Sequence, residues 1–593
     1  MSDHPFEHAP LTDREERNLI VFAHMYGYVR YFHAADEAVV INGERLLHGG
    51  VKTVLLAEGD SQLAFALEAV MQPAAPTCRA WVGPIDAYPR LQLNIPDRGR
   101  LQGIRGWVHR GPGRISPPGS MYSSEMDYET MERSHEPERI PRFGIGPTEE
   151  IVPGFSIRVP TAVLLDDVGT VPRWEGLQAW AYMEDIENQT PKPVRLARDW
   201  SPEPSERSTR LACVIEVWNV FRHFYPYLAD VPGLDLNEVL RDALKRAATD
   251  ETSTEFLFTL RRLVSYFNDG QSVITCSDID ESAVLPLEWD WIDDRLVVTA
   301  VSEALGDTLP VGSIVGSIGG REVESAGCVA AAEECVSAAT ADARRYRGLA
   351  MLRRGAPAST VQLDITDDQG SNRSVRITRV PLPEAPTEGR PATICELEPG
   401  VVYIDLTRAT NAEISARLAL LQAADGIVFD ARGLTVEARP DCLRYLADEV
   451  LHSDRLLLPV FTWAEQQEVT YEESSWTLEP SAPRLSATTA FLIDERTAGP
   501  CETVLGMVEA YELGALVGQR TAGCSGSLHT LTLPGGYEVT WTATMVLRRD
   551  KGRHYGIGIE PTVPVTRTLA GVQAGRDEML ETAVRLVKAS DGG

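Results

Sequence analysis

The sequence predicts an α/β fold: a carboxy-terminal domain with a mostly parallel sheet, preceded by a small β domain, a helical domain and an α+β amino-terminal domain. Three observations carry the prediction. From about residue 390 onward, short apolar runs alternate with helical stretches, the rhythm that builds parallel sheets. Between 286 and 385, strand-like runs are separated by turns rich in Gly and Pro. The 593 residues are 43% hydrophobic and 24% charged, an ordinary globular composition, enough for about four domains at about 150 residues each.

The regions are 1–205, 206–285, 286–385 and 386–593. The first opens with a helical pattern, Asp13 to Phe32, for which Thr12 supplies a cap. Val51 to Met71 again reads as helix. Asp97 to Gly119 reads as loop because of its Gly and Pro content, including His109-Arg110-Gly111-Pro112-Gly113. Phe155 to Val159 alternates like a strand, and Pro191 to Pro204 reads as a linker. The second region is helical. Its Trp218 to Pro226 text resembles Tyr26 to His33 in the first helix, two aromatic stretches around Arg222 and Arg30.

In the third region Arg295 to Val301 is a strand candidate, followed by Leu309 to Arg321 and a helix near Ala330 to Ala338. The run Pro310-Val311-Gly312-Ser313-Ile314, with Ile318 and Gly320 after it, resembles a PDZ domain core. That resemblance implies a module that adds an extended peptide to an open sheet edge. In the fourth region the strands are Gly400 to Leu406, Gly426 to Asp430, Ala490 to Asp494 and Leu516 to Gly518. Helices at Ala412 to Ala424 and Glu502 to Tyr511 connect them, and ligands are expected at the strand ends.

Composition excludes several classes. With 56 basic against 86 acidic residues the net charge is −30, which disfavours nucleic acid and anionic membrane as partners. The start carries no basic-then-apolar leader, and no run reaches the length of a membrane span, so a soluble cytoplasmic protein is expected. The nine cysteines are odd in number and lack a Cys-x-x-Cys pair, which fits reduced thiols. No His-Glu-x-x-His, P-loop or dinucleotide motif is present, so neither a metal nor a cofactor is expected.

Ordered motifs across 206–590 resemble the carboxy-terminal processing (tail-specific) serine peptidases, relatives of the tricorn protease core. Val428 to Gly433 resembles a strand ending in Asp-x-Arg-Gly. Leu492 to Glu502 resembles the nucleophile turn, and Val517 to Gly523 the Gly-x-x-Thr-x-Gly loop. Leu533 to Gly536, Gly556 to Pro561 and Gly575 to Glu578 follow in the same order. The resemblance implies a peptidase-core α/β domain behind the PDZ-like and helical domains.

The same resemblance fails at the chemistry. Gly499 stands where the nucleophilic Ser belongs, and glycine cannot form an acyl-enzyme. Gln271, in Asp269-Gly270-Gln271, stands at the His position, and an amide is no general base near neutral pH. Cys524 stands near the Lys of one branch, and Tyr555 near a Glu of another. Cys501 is the candidate substitute nucleophile, since a helix N-terminus lowers a thiol pKa; the competing reading is a buried packing residue. Cys524, in the glycine-rich loop Gly523 to Ser527, either faces the cleft or fills a turn. His529 and His554 are candidate bases. Amides at Gly433 and after Gly499, beside Pro500, are candidates for an oxyanion pocket, although Leu434 to Glu437 replaces the glycines expected after Gly433. Two functions remain: a protein that binds a peptide or small molecule in the former cleft, or an enzyme with changed chemistry there, Cys501-dependent or non-hydrolytic. Oligomeric state is not legible.

Overall fold

The computed structural model describes residues 7–88, 100–113, 122–130, 146–171, 173, 192–323, 327–367, 369–382, 389–433 and 441–589. The carboxy-terminal region holds a six-stranded sheet in the order Ile394–Glu398, Val401–Asp405, Gly426–Asp430, Thr488–Ile493, Ala515–Gly518, Val563–Pro564. The first pair is antiparallel and the rest are parallel. Both faces are buried, which explains the unbroken apolar runs. Val402, Ile404, Phe429, Phe491 and Ile493 pack toward helix Pro500–Ala510. Val401, Tyr403, Val428 and Leu492 pack toward helix Glu578–Ala589 through Met579, Ala583 and Val587. Asp405, Asp430 and Asp494 thus line up at the carboxyl ends of neighbouring strands.

Helix Asp13–Gly27 begins at a capping box between Thr12 and Glu15, and is buried from Asn18 onward. It packs on helix Arg207–Phe224 so closely that a Cβ on Gly27 would lie 1.9 Å from Asn219 Oδ1. The two stretches that resemble each other in sequence therefore meet in space, with Phe32 stacked on Phe224 at 5.9 Å. Both helices belong to one hydrophobic core, so the boundary expected at 205/206 falls inside a shared core. Strand Val273–Cys276, from the helical region, joins the Leu528–Leu533 and Tyr537–Thr542 hairpin as its edge. The hairpin turns on Gly535 and Gly536, both at positive φ (81° and 74°), which L side chains rarely adopt. The 286–385 region contains a six-stranded antiparallel sheet, five strands in the order Leu287–Ile292, Arg295–Val301, Ile314–Ile318, Thr360–Thr366, Asn372–Thr378, with Arg321–Glu322 also paired to Ile314–Ile318.

Three expectations are corrected. The described part of 97–119 is not all loop: Leu101–His109 is a strand, and its Gly103 lets a neighbour approach, since a Cβ there would lie 2.3 Å from Glu129 O. Residues 97–99 and 114–119, like Leu434 to Glu437, lie outside the described residues. Val51 to Met71 is divided between helices Gly43–Val54 and Asp60–Met71. The helix expected at Ala330 to Ala338 is Cys328–Glu333, and Ala338 instead packs on Cys524. Among the described residues no helix is long and apolar enough to cross a membrane, and none of the nine cysteines is bonded to another.

Candidate functional site

Strand Thr488–Ile493 ends in a turn that Asp494 organises by accepting the Arg496 N–H at 3.1 Å, while Thr497 Oγ1 donates to Ala431 O at 2.8 Å. The turn delivers Gly499 to the start of helix Pro500–Ala510 with φ 64° and ψ −133°, a conformation suited to glycine. The Gly499 N–H donates to Cys524 O at 2.7 Å. Beneath it, the fully buried Glu502 carboxylate accepts from Thr521 Oγ1 at 2.5 Å and from the Gly523 and Cys524 N–H groups, each at 2.8 Å. His554 Nε2 lies 3.4 Å from the same carboxylate.

The Asp269–Gln271 loop reaches this point from the helical region. A Cβ on Gly270 would lie 2.2 Å from Cys524 Cβ. Asp269 is buried and accepts the Thr542 N–H at 2.7 Å, the Thr542 hydroxyl at 2.6 Å and the Gln271 N–H at 3.0 Å. Gln271 Nε2 donates to Gly526 O at 3.2 Å and Thr542 Oγ1 at 3.3 Å. Tyr555 donates to Asn268 O at 3.1 Å and stacks on Tyr227 at 4.2 Å. The fold thus brings Gly499, Cys524, Gln271 and Tyr555 to one place. None of these contacts holds a nucleophile against a base.

The substitute chemistry is corrected by burial. Cys501 is fully buried, and desolvation, then the neighbouring Glu502 charge, pushes its thiol up to about 12 instead of down. Cys524 is raised well above the ordinary value for the same two reasons. His529 is not at this site: it lies against Tyr122 and Trp541, and burial lowers it to about 4. His554 faces Glu502, not a thiol. The Gly433 N–H is already committed to Asp494 Oδ1 at 3.2 Å, and Pro500 has no N–H to offer. Neither therefore serves as an oxyanion donor in this arrangement.

The 269–271 and 521–524 loops are also covered. Ala338, Ala343, Ala522 and Cys524 form a small apolar cluster, with Ala339 and Ala498 against it. Residues from the 286–385 region clamp it: Thr340 Oγ1 donates to Ala522 O at 3.2 Å, Arg344 to Asn268 Oδ1 at 2.6 Å and Arg347 to Gly270 O at 2.8 Å. Open space lies alongside. One cavity of about 450 Å³ is bordered by Gly433, Asp405, Arg432 and Arg496 at the strand ends. A second, of about 340 Å³, is bordered by Ser272 to Thr275 and Arg347. They share Tyr346, Ala350 and Arg354 on helix Ala341–Arg353 and the strand after it, and neither is lined by Gly499. Sequence reasoning named Gly433 but missed the arginines and the clamp; their signal is visible only once 286–385 is folded onto the core.

Two predictions arise here. Gly499→Ser is expected to lower stability by about 1–3 kcal/mol, because a side chain is forced to φ 64°, and to create no hydrolysis of an activated ester. Urea unfolding and an ester assay check both halves. The second concerns pH. Burial opposes charge on His554, but the Glu502 carboxylate outweighs it and the ring is raised above 6.5. A raised folded-state value stabilises fully below the unfolded value and is lost as pH climbs through the folded one. Urea midpoints are therefore expected to fall on the alkaline side of 6.5, and the slope to flatten in His554→Gln.

The strand order, the glycine-capped helix and the converging loops define an α/β scaffold in which the 269–271 and 521–524 loops close over the start of helix Pro500–Ala510. Comparison agrees with the scaffold. Residues 445–565 match the model of Peptidase family S41. Mature CPAF complexed with lactacystin is similar at 14% identity and TM-score 0.54, over 65% of this chain and 98% of that one. Mature CPAF alone gives 14% and 0.53, over 65% and 99%. The photosystem II D1 C-terminal processing protease gives 15% and 0.39, over 64% and 97%. The likeness to CPAF is one of fold. Comparison with curated protein sequences finds no match.

Proposed function

We propose that this chain is a tail-specific-peptidase-like protein that does not carry out serine proteolysis and instead binds a peptide or similarly extended ligand beside the former active site. The observation that carries the reading is the pairing of Gly499 with Gln271: a hydrogen atom stands for the nucleophile, and an amide held by Gly526 O and Thr542 Oγ1 stands for the base. The groove of the two joined cavities is the binding surface. Strand Val273–Cys276 is a sheet edge with Val273 exposed; its outward Ile274 carbonyl accepts from Arg261 Nε and Nη2, each at 3.2 Å, so an added strand takes the place of that arginine. We read 286–385 as a PDZ-like module that covers the old catalytic positions and leaves this edge open. A Cys501-dependent hydrolase has against it a buried thiol of raised pKa.

Gel filtration of the protein with a diverse peptide pool, followed by mass spectrometry of the retained fraction, tests the reading. Intact peptides are expected to co-elute, and Val273→Asp, which puts a charge on the exposed edge residue bordering the second cavity, is expected to abolish retention. No enrichment, or equal enrichment in the variant, overturns the groove as the ligand site.

A further inference from the structure

A second cluster lies away from the peptidase-like site, where the amino-terminal region meets the core. Helix Asp13–Gly27 supplies His24, strand Thr148–Val152 supplies Glu149, and the turn after Phe461 supplies Glu465. One ligand-capable atom from each lies within 4.8 Å of the others. Glu149 and Glu465 border a cavity of about 340 Å³ whose walls include Tyr28, Thr148, Trp463 and Gln467.

His24 gives the cluster its character. The residue is 3% exposed, and its Nε2 is 2.8 Å from Asn237 Oδ1. A carbonyl oxygen only accepts, so Nε2 carries the hydrogen and Nδ1 keeps a lone pair. That Nδ1 has no hydrogen-bond partner, and it points at Glu149 Oε2 from 3.5 Å. Two electron-pair donors face each other across this gap, and a proton or a metal cation between them relieves their repulsion. The spacing suits the metal: donors at about 2.0–2.2 Å from a tetrahedral ion are about 3.3–3.6 Å apart.

The surroundings resemble the outer shell of a metal site. A ligating imidazole typically donates its other N–H to an oxygen, as His24 does to Asn237, and ligating carboxylates are themselves hydrogen-bonded. Tyr28 reaches Glu149 Oε2 at 2.8 Å and also contacts Glu465 Oε1. Arg222 pairs with the same Glu465 oxygen, approaches Glu149 at 3.7 Å and donates to the Tyr28 hydroxyl at 2.7 Å. Its single positive charge leaves the two carboxylates with one unit of negative charge between them. Glu465 is held in place by a left-handed backbone, φ 59°, and by its N–H bond to His223 Nδ1 at 3.1 Å.

We propose that His24 Nδ1 and the carboxylates of Glu149 and Glu465 bind a divalent transition metal of the zinc class, with the cavity providing room for a fourth, solvent-derived ligand. The proposed site departs from the sequence-based expectation of no metal. No sequence motif announces the site, because its three ligands come from elements far apart in the chain.

The test uses the full chain, stripped with a chelator, dialysed, and titrated with zinc. One equivalent is expected to bind and to raise the melting temperature. His24→Ala and Glu149→Gln are each expected to weaken binding by about 10–100-fold or more. Glu149→Gln keeps side-chain size at a half-exposed position, so it remains informative if His24→Ala fails to fold. Absence of stoichiometric zinc on the wild type overturns the proposal. So does zinc bound equally by wild type and Glu149→Gln, which would place the ion elsewhere.

Discussion

Glu502→Ala is expected to destabilise the protein by about 3–5 kcal/mol, the cost of breaking a buried charged network by removing one partner. The carboxylate is completely buried and is the sole common acceptor for Thr521 Oγ1, the Gly523 N–H and the Cys524 N–H. Its removal strands two backbone donors away from water, each worth about 1–3 kcal/mol when unsatisfied. It also takes from the buried His554 its nearest counter-charge, leaving Asp454. Glu502→Gln keeps the shape and part of the acceptor capacity, so it is expected to lose less. Urea unfolding of the three proteins measures the order. Because Glu502 joins the helix after Gly499 to the 521–524 loop, the alanine variant is also expected to increase hydrogen exchange at Gly523 and Cys524 before any other part of the sheet.

Arg432→Ala is the second large effect, again about 3–5 kcal/mol. Arg432 is 4% exposed and forks across two carboxylates: Nη2 lies 2.7 Å from Asp430 Oδ2 and 2.8 Å from Asp577 Oδ2. Nε and Nη1 add bonds to Asp430 Oδ1 and Asp577 Oδ1, both at 3.0 Å. Asp430 sits at the end of a central strand, fully buried; burial raises its carboxyl, but the Arg432 charge overcomes this and holds it below the ordinary value. Asp577 starts helix Glu578–Ala589, so the arginine ties that helix to the sheet. Truncation leaves Asp430 charged and poorly paired in the interior. In a double-mutant cycle with Asp577→Asn, a coupling energy of about 0.5–3 kcal/mol is expected. Near-zero coupling would mean that the helix is held by Met579, Ala583 and Val587 alone.

The parts of the fold that were legible in sequence are those whose environment is uniform. Gly426–Asp430 and Thr488–Ile493 are buried on both faces, and their apolar runs announce this without any knowledge of neighbours. Leu101–His109 was hidden because Gly103 and Gly106 read as turn residues, whereas the first is there for a close approach between strands. Residues 205 and 206 marked a change of composition but not of core, since helices Asp13–Gly27 and Arg207–Phe224 bury their faces in each other. At the site, motif order was enough to bring Gly499, Gln271, Cys524 and Tyr555 together. It was not enough to show which groups remain available. At Cys501 desolvation outweighs the pull of the helix N-terminus. Gly433 was read as a free amide and is bonded to Asp494. His554 was read as a base and is the partner of Glu502, whose role depends on a loop that sequence spacing alone does not place.

The proposed absence of nucleophile and base at Gly499 and Gln271 has a direct consequence for turnover. The pure protein, incubated with a diverse peptide pool and analysed by mass spectrometry for new peptide ends, is expected to leave every peptide uncut. Cleavage that persists in the purified protein and disappears on substitution of a residue lining the groove would contradict this, and would require a nucleophile that neither Gly499 nor the buried Cys501 and Cys524 supplies.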